Sequence, residues 1–193
     1  MQIGIYGGSF NPIHKGHTCL AQALVAQGIV DELWLLVSPL NPLKQGVSAD
    51  IAEYEHRMNM ATLATQDLEG VKVSDFERCL PLPSYTINTF HALDKTYPQH
   101  SFSLIIGADN WERFPLWYHA EEIIDTYNIY IYRRPNIFID ETSLPPKVHM
   151  VETPLYDISS TQIRDAVRKG ESISPFVDSR VAEYIKDNRL FVE

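Results

Sequence analysis

The chain has 193 residues, 45% of them apolar and 21% charged, a composition that supports a buried core and excludes a disordered protein. Sixteen Lys and Arg against 25 Asp and Glu leave a formal charge of −9 at pH 7, which argues against a surface that follows a nucleic-acid backbone and favours small molecules or proteins as partners. An anionic substrate then requires a local concentration of positive charge within an acidic molecule.

The length predicts one domain over residues 1–193, with a helical C-terminal part from about residue 158. The longest apolar runs, 33–37 and 104–106, fall far below the roughly 20 residues of a membrane helix, so no membrane contact is expected. The N-terminus opens into a strand-like run without a basic region or signal core, and Cys19 and Cys79 lack the spacing of a metal site or disulfide framework. A cytoplasmic location follows as the expectation. Oligomeric state is not legible.

In chain order, residues 3–6 read as a first strand, followed by a Gly, Asn and Pro loop. A helix is predicted over about 16–27, with Leu20, Ala23 and Leu24 at helical spacing and Gly28 as its stop. Residues 33–37 form a buried strand, and a Pro-bearing loop covers 38–50. A second helix covers about 52–66, its apolar positions Met58, Ala61 and Leu63. Residues 71–76 alternate as a third strand. Ser84 is placed to cap a helix reaching about Thr96, before Pro98.

Residues 101–106 are a fourth strand ending at Gly107 and Asp109, residue types that suit a turn at the carboxyl edge of a sheet. Residues 128–132 form a further strand before the Arg133-Arg134-Pro135 turn, 136–146 a surface connection, and 147–151 a last strand. Ser160 is expected to cap a helix over 161–168 that Gly170 ends, and Val181, Tyr184 and Ile185 give a final helix its apolar face. Strands alternating with helices predict an α/β fold, a Rossmann-like parallel sheet with a short helical C-terminal piece.

The most informative stretch, Gly7-Gly8-Ser9-Phe10-Asn11-Pro12-Ile13-His14-Lys15-Gly16-His17, lies directly between the first strand and the first helix. Glycines let backbone approach a ligand, loop amides face an anion, and the helix start carries partial positive charge, which together describe a phosphate site. The stretch matches neither the G-x-G-x-x-G fingerprint nor the P-loop. His14 and His17, three residues apart, bring two imidazoles to the mouth of that loop. A packed capping pair is the plainer alternative. Zinc binding is disfavoured because no completing thiol or carboxylate lies nearby.

This segment resembles the G-G-x-F-x-P-x-H-x-G-H signature of the H-x-G-H nucleotidyltransferase superfamily, and Ile158-Ser159-Ser160-Thr161-Gln162-Ile163-Arg164 resembles its I-S-S-T-x-I-R motif. Between them, Pro83-Ser84-Tyr85-Thr86, Gly107-Ala108-Asp109, Pro115-Leu116-Trp117-Tyr118 and Arg134-Pro135 are similar to segments of the nicotinate-nucleotide adenylyltransferase family, over nearly the whole chain. The resemblance implies transfer of the adenylyl group of ATP to nicotinate mononucleotide in NAD synthesis, giving deamido-NAD and pyrophosphate. It assigns His14, His17, Lys44 and Arg164 to catalysis. Gly7, Gly8, Ser9, Phe10, His17, Gly107, Asp109, Ser159, Thr161 and Arg164 would bind ATP. Ser84, Tyr85, Thr86, Asp109, Trp117, Tyr118 and Arg134 would bind nicotinate mononucleotide. Mg²⁺ would arrive with ATP, held mainly by phosphates rather than by a protein site.

Physical roles accompany these assignments. Trp117 offers a surface for a pyridine ring, with simple packing as its alternative, and free amides near residues 84–87 suit a carboxylate. Asp109 suits a ribose hydroxyl, with an Asx turn as its alternative. The chain departs from the pattern at Ser9 for Thr, Asn11 for Asp, Leu43 for His beside Lys44, and Asn136 for Gly after Arg134-Pro135. A phosphopantetheine adenylyltransferase, a cytidylyltransferase and a non-catalytic nucleotide sensor are the competing readings.

Overall fold

The computed structural model describes residues 1–39 and 51–192. Lys44 and the Leu43 departure lie outside the described residues. Six strands, β1 (Gln2–Gly8), β2 (Glu32–Val37), β3 (Val71–Ser74), β4 (Ser101–Gly107), β5 (Asn128–Tyr132) and β6 (Val148–Val151), form one sheet in the order β3-β2-β1-β4-β5-β6. Every pairing is parallel. The chain moves outward from β1 to β3, then returns beside β1 with β4 and proceeds the other way. This reversal leaves a cleft beyond the carboxyl ends of β1 and β4, where open α/β sheets bind ligands.

Period-two alternation sorts the strands' side chains between two layers. Ile3, Ile5, Leu104 and Ile106 face one layer with Phe90 and Leu93 of α3 (Thr86–Thr96), α4 (Ala108–Glu112) and α5 (Ala120–Thr126). Tyr6, Leu33, Leu35, Val37 and Ile105 face the other. That second layer holds α1 (Lys15–Ala26), α2 (Tyr54–Thr65), α6 (Ser160–Arg168) and α7 (Ser179–Asp187). The C-terminal helices thus join the layer of α1 and α2, through Ile163, Val181 and Ile185. Among the described residues no helix is long and apolar enough to cross a membrane.

Several boundaries differ from the sequence reading. Gly28 and Gly170 do stop α1 and α6, at φ +67° and +70°, values that favour glycine. Ser84 does not cap α3; Tyr85 takes the N-cap position and the Ser84 hydroxyl is buried. Ser159, not Ser160, caps α6: its Oγ accepts from the Gln162 N–H at 3.2 Å while Gln162 Oε1 accepts from the Ser159 N–H at 2.8 Å, a reciprocal box that fixes the register. β3 ends at Ser74, and residues Phe76–Cys79 turn into a 3₁₀ segment. The helix α5 had no counterpart in the sequence reading.

Candidate active site

The glycine loop begins where β1 ends. Phe10 takes a left-handed φ of +46° and folds its ring over Gly8, where an added Cβ would stand 3.0 Å from that ring. A side chain at position 8 would therefore press on the Phe10 ring, which would have to give by a few tenths of an ångström. Phe10 then packs edge-on against Tyr6 and His17, with centroids 5.6 and 5.1 Å apart. Its ring is a wall for the histidine, 3% exposed, rather than an open ligand surface.

His14 is the N-cap residue of α1 and His17 its third residue. Their rings stack at 3.7 Å, and the His14 backbone N–H donates to His17 Nδ1 at 3.2 Å. With Nδ1 accepting, the hydrogen of the neutral His17 ring sits on Nε2, making that atom a donor at the mouth of the loop. Burial, aided by the Arg134 guanidinium, pulls the His14 imidazole down to about 4. His14 is thus neutral at pH 7 and adds no charge to the site.

This shift has a measurable consequence. Between pH 6.5 and about 4 the unfolded chain binds a proton at His14 that the folded chain does not, so stability is fully present above 6.5 and falls as pH drops towards 4. Chemical denaturation is expected to show that His14→Gln loses about 2–3 kcal/mol less than the parent over that interval. Equal losses in the two proteins would contradict the burial argument.

Two further motifs close on the loop. The Ser160 hydroxyl donates to the Pro12 carbonyl at 2.9 Å, and Arg164 Nη1 donates to the Asn11 carbonyl at 3.0 Å, so the start of α6 is tied to the glycine loop across 148 and 153 residues of sequence. Arg164 Nη2 also reaches Thr161 Oγ1 at 3.3 Å. Asn11 Oδ1 accepts from the Ala52 N–H at 2.9 Å, an acceptor role that a neutral amide performs in this buried position. Asn136, standing where the family has Gly, adopts φ +62°, a conformation Asn tolerates better than most residues.

Beneath the loop lies a residue that sequence reading missed. Arg57 is 2% exposed, and its Nη1 donates to the carbonyls of Ser9 and Ser38, both at 2.8 Å, while Nε donates to Ala52 O at 3.1 Å. It shares the buried face of α2 with Met60, Ala61 and Ala64, whereas the sequence reading placed that face at Met58, Ala61 and Leu63. Three backbone carbonyls converge there and need donors.

Two cavities open at this edge. The larger, about 160 Å³, is lined by Gly7, Gly8, Ser84, Tyr85, Thr86, Trp117 and Tyr118 among the predicted residues, and by Tyr6, Glu77, Thr89 and Asn110 besides. Trp117 packs one face on Phe114, at 4.9 Å, and its Nε1–H is buried without a partner. The Tyr85 N–H is not free, since it donates to Pro83 O at 2.8 Å; the amides available at this helix start begin at Thr86. The smaller cavity is lined by Tyr6, His14, His17, Tyr132 and Arg134.

Arg134 links the two sides of the edge. It donates through Nη2 to the Tyr132 hydroxyl at 3.1 Å and pairs through Nε with Asp109 Oδ1 at 3.4 Å, and the Tyr132 and Tyr6 hydroxyls bond at 3.0 Å. Asp109 lies in the first turn of α4, with its carboxylate half exposed, so the carboxylate projects from a helix rather than closing an Asx turn. Ser9, Phe10, Gly107, Asp109, Ser159, Thr161 and Arg164 frame the edge without lining either cavity.

Comparison with known proteins places this arrangement. Residues 5–166 match the cytidylyltransferase-like family. A protein of Bacteroides thetaiotaomicron is 43% identical over 187 residues, covering 97% of this chain and 92% of its own, and one of Flavobacterium johnsoniae is 38% identical over 99% of both chains. Both carry the name "Probable nicotinate-nucleotide adenylyltransferase". In fold, the chain is similar to the nicotinic acid mononucleotide adenylyltransferase of Plasmodium falciparum complexed with NaAD, with a TM-score of 0.85, 22% identity and coverage of 98% of this chain and 97% of that one. Its length, its paired motifs and this full-length similarity together make the chain a member of the nicotinate-nucleotide adenylyltransferase family, within the cytidylyltransferase-like nucleotidyltransferases.

Proposed function

We propose that the protein transfers the adenylyl group of ATP to nicotinate mononucleotide, releasing pyrophosphate and forming deamido-NAD. The observation that carries this reading is that Tyr6, at the end of β1, lines both cavities, so nucleotides in the two would meet above the glycine loop. The mononucleotide phosphate forms a bond to the α-phosphorus of ATP as the bond from that phosphorus to the β-phosphate bridging oxygen breaks. With a second pKa near 6 the attacking phosphate is already largely ionised at pH 7, and no strong base is needed. Catalysis then consists of holding two anions in line and stabilising charge on the leaving pyrophosphate.

In this reading the start of α1 and His17 Nε2–H receive ATP phosphate oxygens, with Gly7 and Gly8 permitting their approach and Arg164 closing from α6. Lys44 adds a further phosphate contact. Ser84, Tyr85, Thr86, Trp117 and Tyr118 receive the nicotinate ring, while Asp109 and Arg134 contact ribose and phosphate between the two nucleotides. Mg²⁺ carried by ATP would be held mainly by the phosphates and would neutralise part of their charge. Magnesium needs few protein ligands when phosphates and waters fill its octahedron.

The first free amides of α3 favour a carboxylate over a neutral amide on the ring. Steady-state kinetics with both mononucleotides are expected to give kcat/KM at least about 10-fold higher for the nicotinate form, as a charge-assisted hydrogen bond would supply. A preference for the nicotinamide form would refute the assignment of this cavity.

A further inference from the structure

We propose that Glu77 is a specificity-determining residue that recognises the fixed positive charge of an N-ribosylated pyridinium ring in the larger cavity. The inference rests on the reading of that cavity as the mononucleotide site. Glu77 lies on the 3₁₀ segment after β3, is 7% exposed, and lines the same cavity as Tyr85, Trp117 and Tyr118. Its Oε1 accepts from Thr89 Oγ1 at 2.9 Å. The Ser38 and Ser84 hydroxyls also face the carboxyl; that of Ser84 stands close enough to favour its charge without completing a well-directed hydrogen bond.

All three of these neighbours are neutral, and no Lys, Arg or His side chain pairs with Glu77 among the described residues. Burial pushes the carboxyl up, and the hydroxyls oppose that only in part. A brace between the 3₁₀ segment and α3 needs no more than an amide at this position. A carboxyl instead places a poorly compensated negative charge against a cavity, where a cationic occupant would compensate it. Nicotinate mononucleotide supplies such a cation because its ring nitrogen is bonded to ribose, and the charge spreads over the ring, so the attraction needs no single contact. The aromatic walls favour the same charge.

The test compares binding of nicotinate mononucleotide with that of its 1,4-dihydropyridine form, which keeps the carboxylate and phosphate and has a neutral ring. The parent protein is expected to bind the pyridinium form at least about 10-fold more tightly by calorimetry, and Glu77→Gln to reduce that ratio about 10-fold. Thr89→Val, which removes the brace and keeps the carboxyl, is expected to retain the ratio. An unchanged ratio in Glu77→Gln, or none in the parent, would overturn the proposal while leaving the adenylyl-transfer reading intact. Failure of the parent to turn over nicotinate mononucleotide with ATP would overturn both. If Glu77→Gln does not fold, the parent's Glu77 carboxyl resonance decides: it is expected to titrate at lower pH with the pyridinium form bound than with the reduced form, and equal midpoints would refute the inference.

Discussion

His17→Ala is expected to lower kcat by about 10²-fold or more while leaving the fold intact, the size of effect seen when one well-placed charge-stabilising donor is removed. The expectation follows from how the ring is held. Its Nδ1 is occupied by the His14 N–H, its faces and edges meet His14, Phe10 and Tyr6, and the ring so held lines the smaller cavity. A donor fixed before substrate arrives needs no reorganisation when charge builds on the phosphates, so the loss should appear in kcat and not only in KM for ATP. Pre-steady-state and steady-state pyrophosphate release would measure it. A folded variant with the parent's turnover would remove His17 from the chemistry.

Arg57→Met is expected to destabilise the protein by about 3 kcal/mol or more, because it leaves the Ser9, Ser38 and Ala52 carbonyls buried without their donor. The Ser9 carbonyl belongs to the glycine loop and Ser38 follows β2, so the guanidinium also sets the loop against the sheet. Lysine, a point charge without the planar fork, cannot bridge three carbonyls in the same way, and Arg57→Lys should recover only part of the loss. Denaturant unfolding of the three proteins measures this. A loss within about 0.5 kcal/mol for Arg57→Met would show that the carbonyls find other partners.

The parts of the fold legible in the sequence are those in which local chemistry and periodicity agree. The strand-loop-helix at residues 2–26 is one, since β-rich residues, two glycines and a helix-period run follow each other directly, and β5 matched its expected limits of 128–132. The candidate site was legible where its residues sit in contiguous motifs. What escaped depends on contacts distant in sequence. Arg57 looks like a polar interruption in a helix face until the Ser9 and Ser38 carbonyls are brought to it. Glu77 falls just beyond an apparent strand, and only folding sets it against Thr89 and the cavity. The N-caps of α3 and α6 lie one residue from the serines expected: α3 begins after Tyr85 with no side-chain cap, while in α6 Ser160 is drawn to Pro12 O, which leaves Ser159 to cap. α5 has seven residues and enters through His119 at a left-handed φ of +56°, too short and too irregular a start for periodicity to reveal.

The acidic total of −9 and an anionic substrate pair are compatible because the positive character at this edge is local. Arg134 lines the smaller cavity, Arg57 lies buried under the loop and Arg164 reaches it from α6, while the start of α1 adds the partial positive charge of a helix N-terminus. His14 contributes shape and packing rather than charge.

The most direct test of adenylyl transfer is pyrophosphate release by the purified protein with ATP or CTP, each crossed with nicotinate mononucleotide, nicotinamide mononucleotide, phosphopantetheine and glycerol phosphate. The account predicts fastest release from ATP with nicotinate mononucleotide, accompanied by an equal amount of deamido-NAD. Faster release with CTP or with phosphopantetheine, or nucleotide binding without any release, would contradict it.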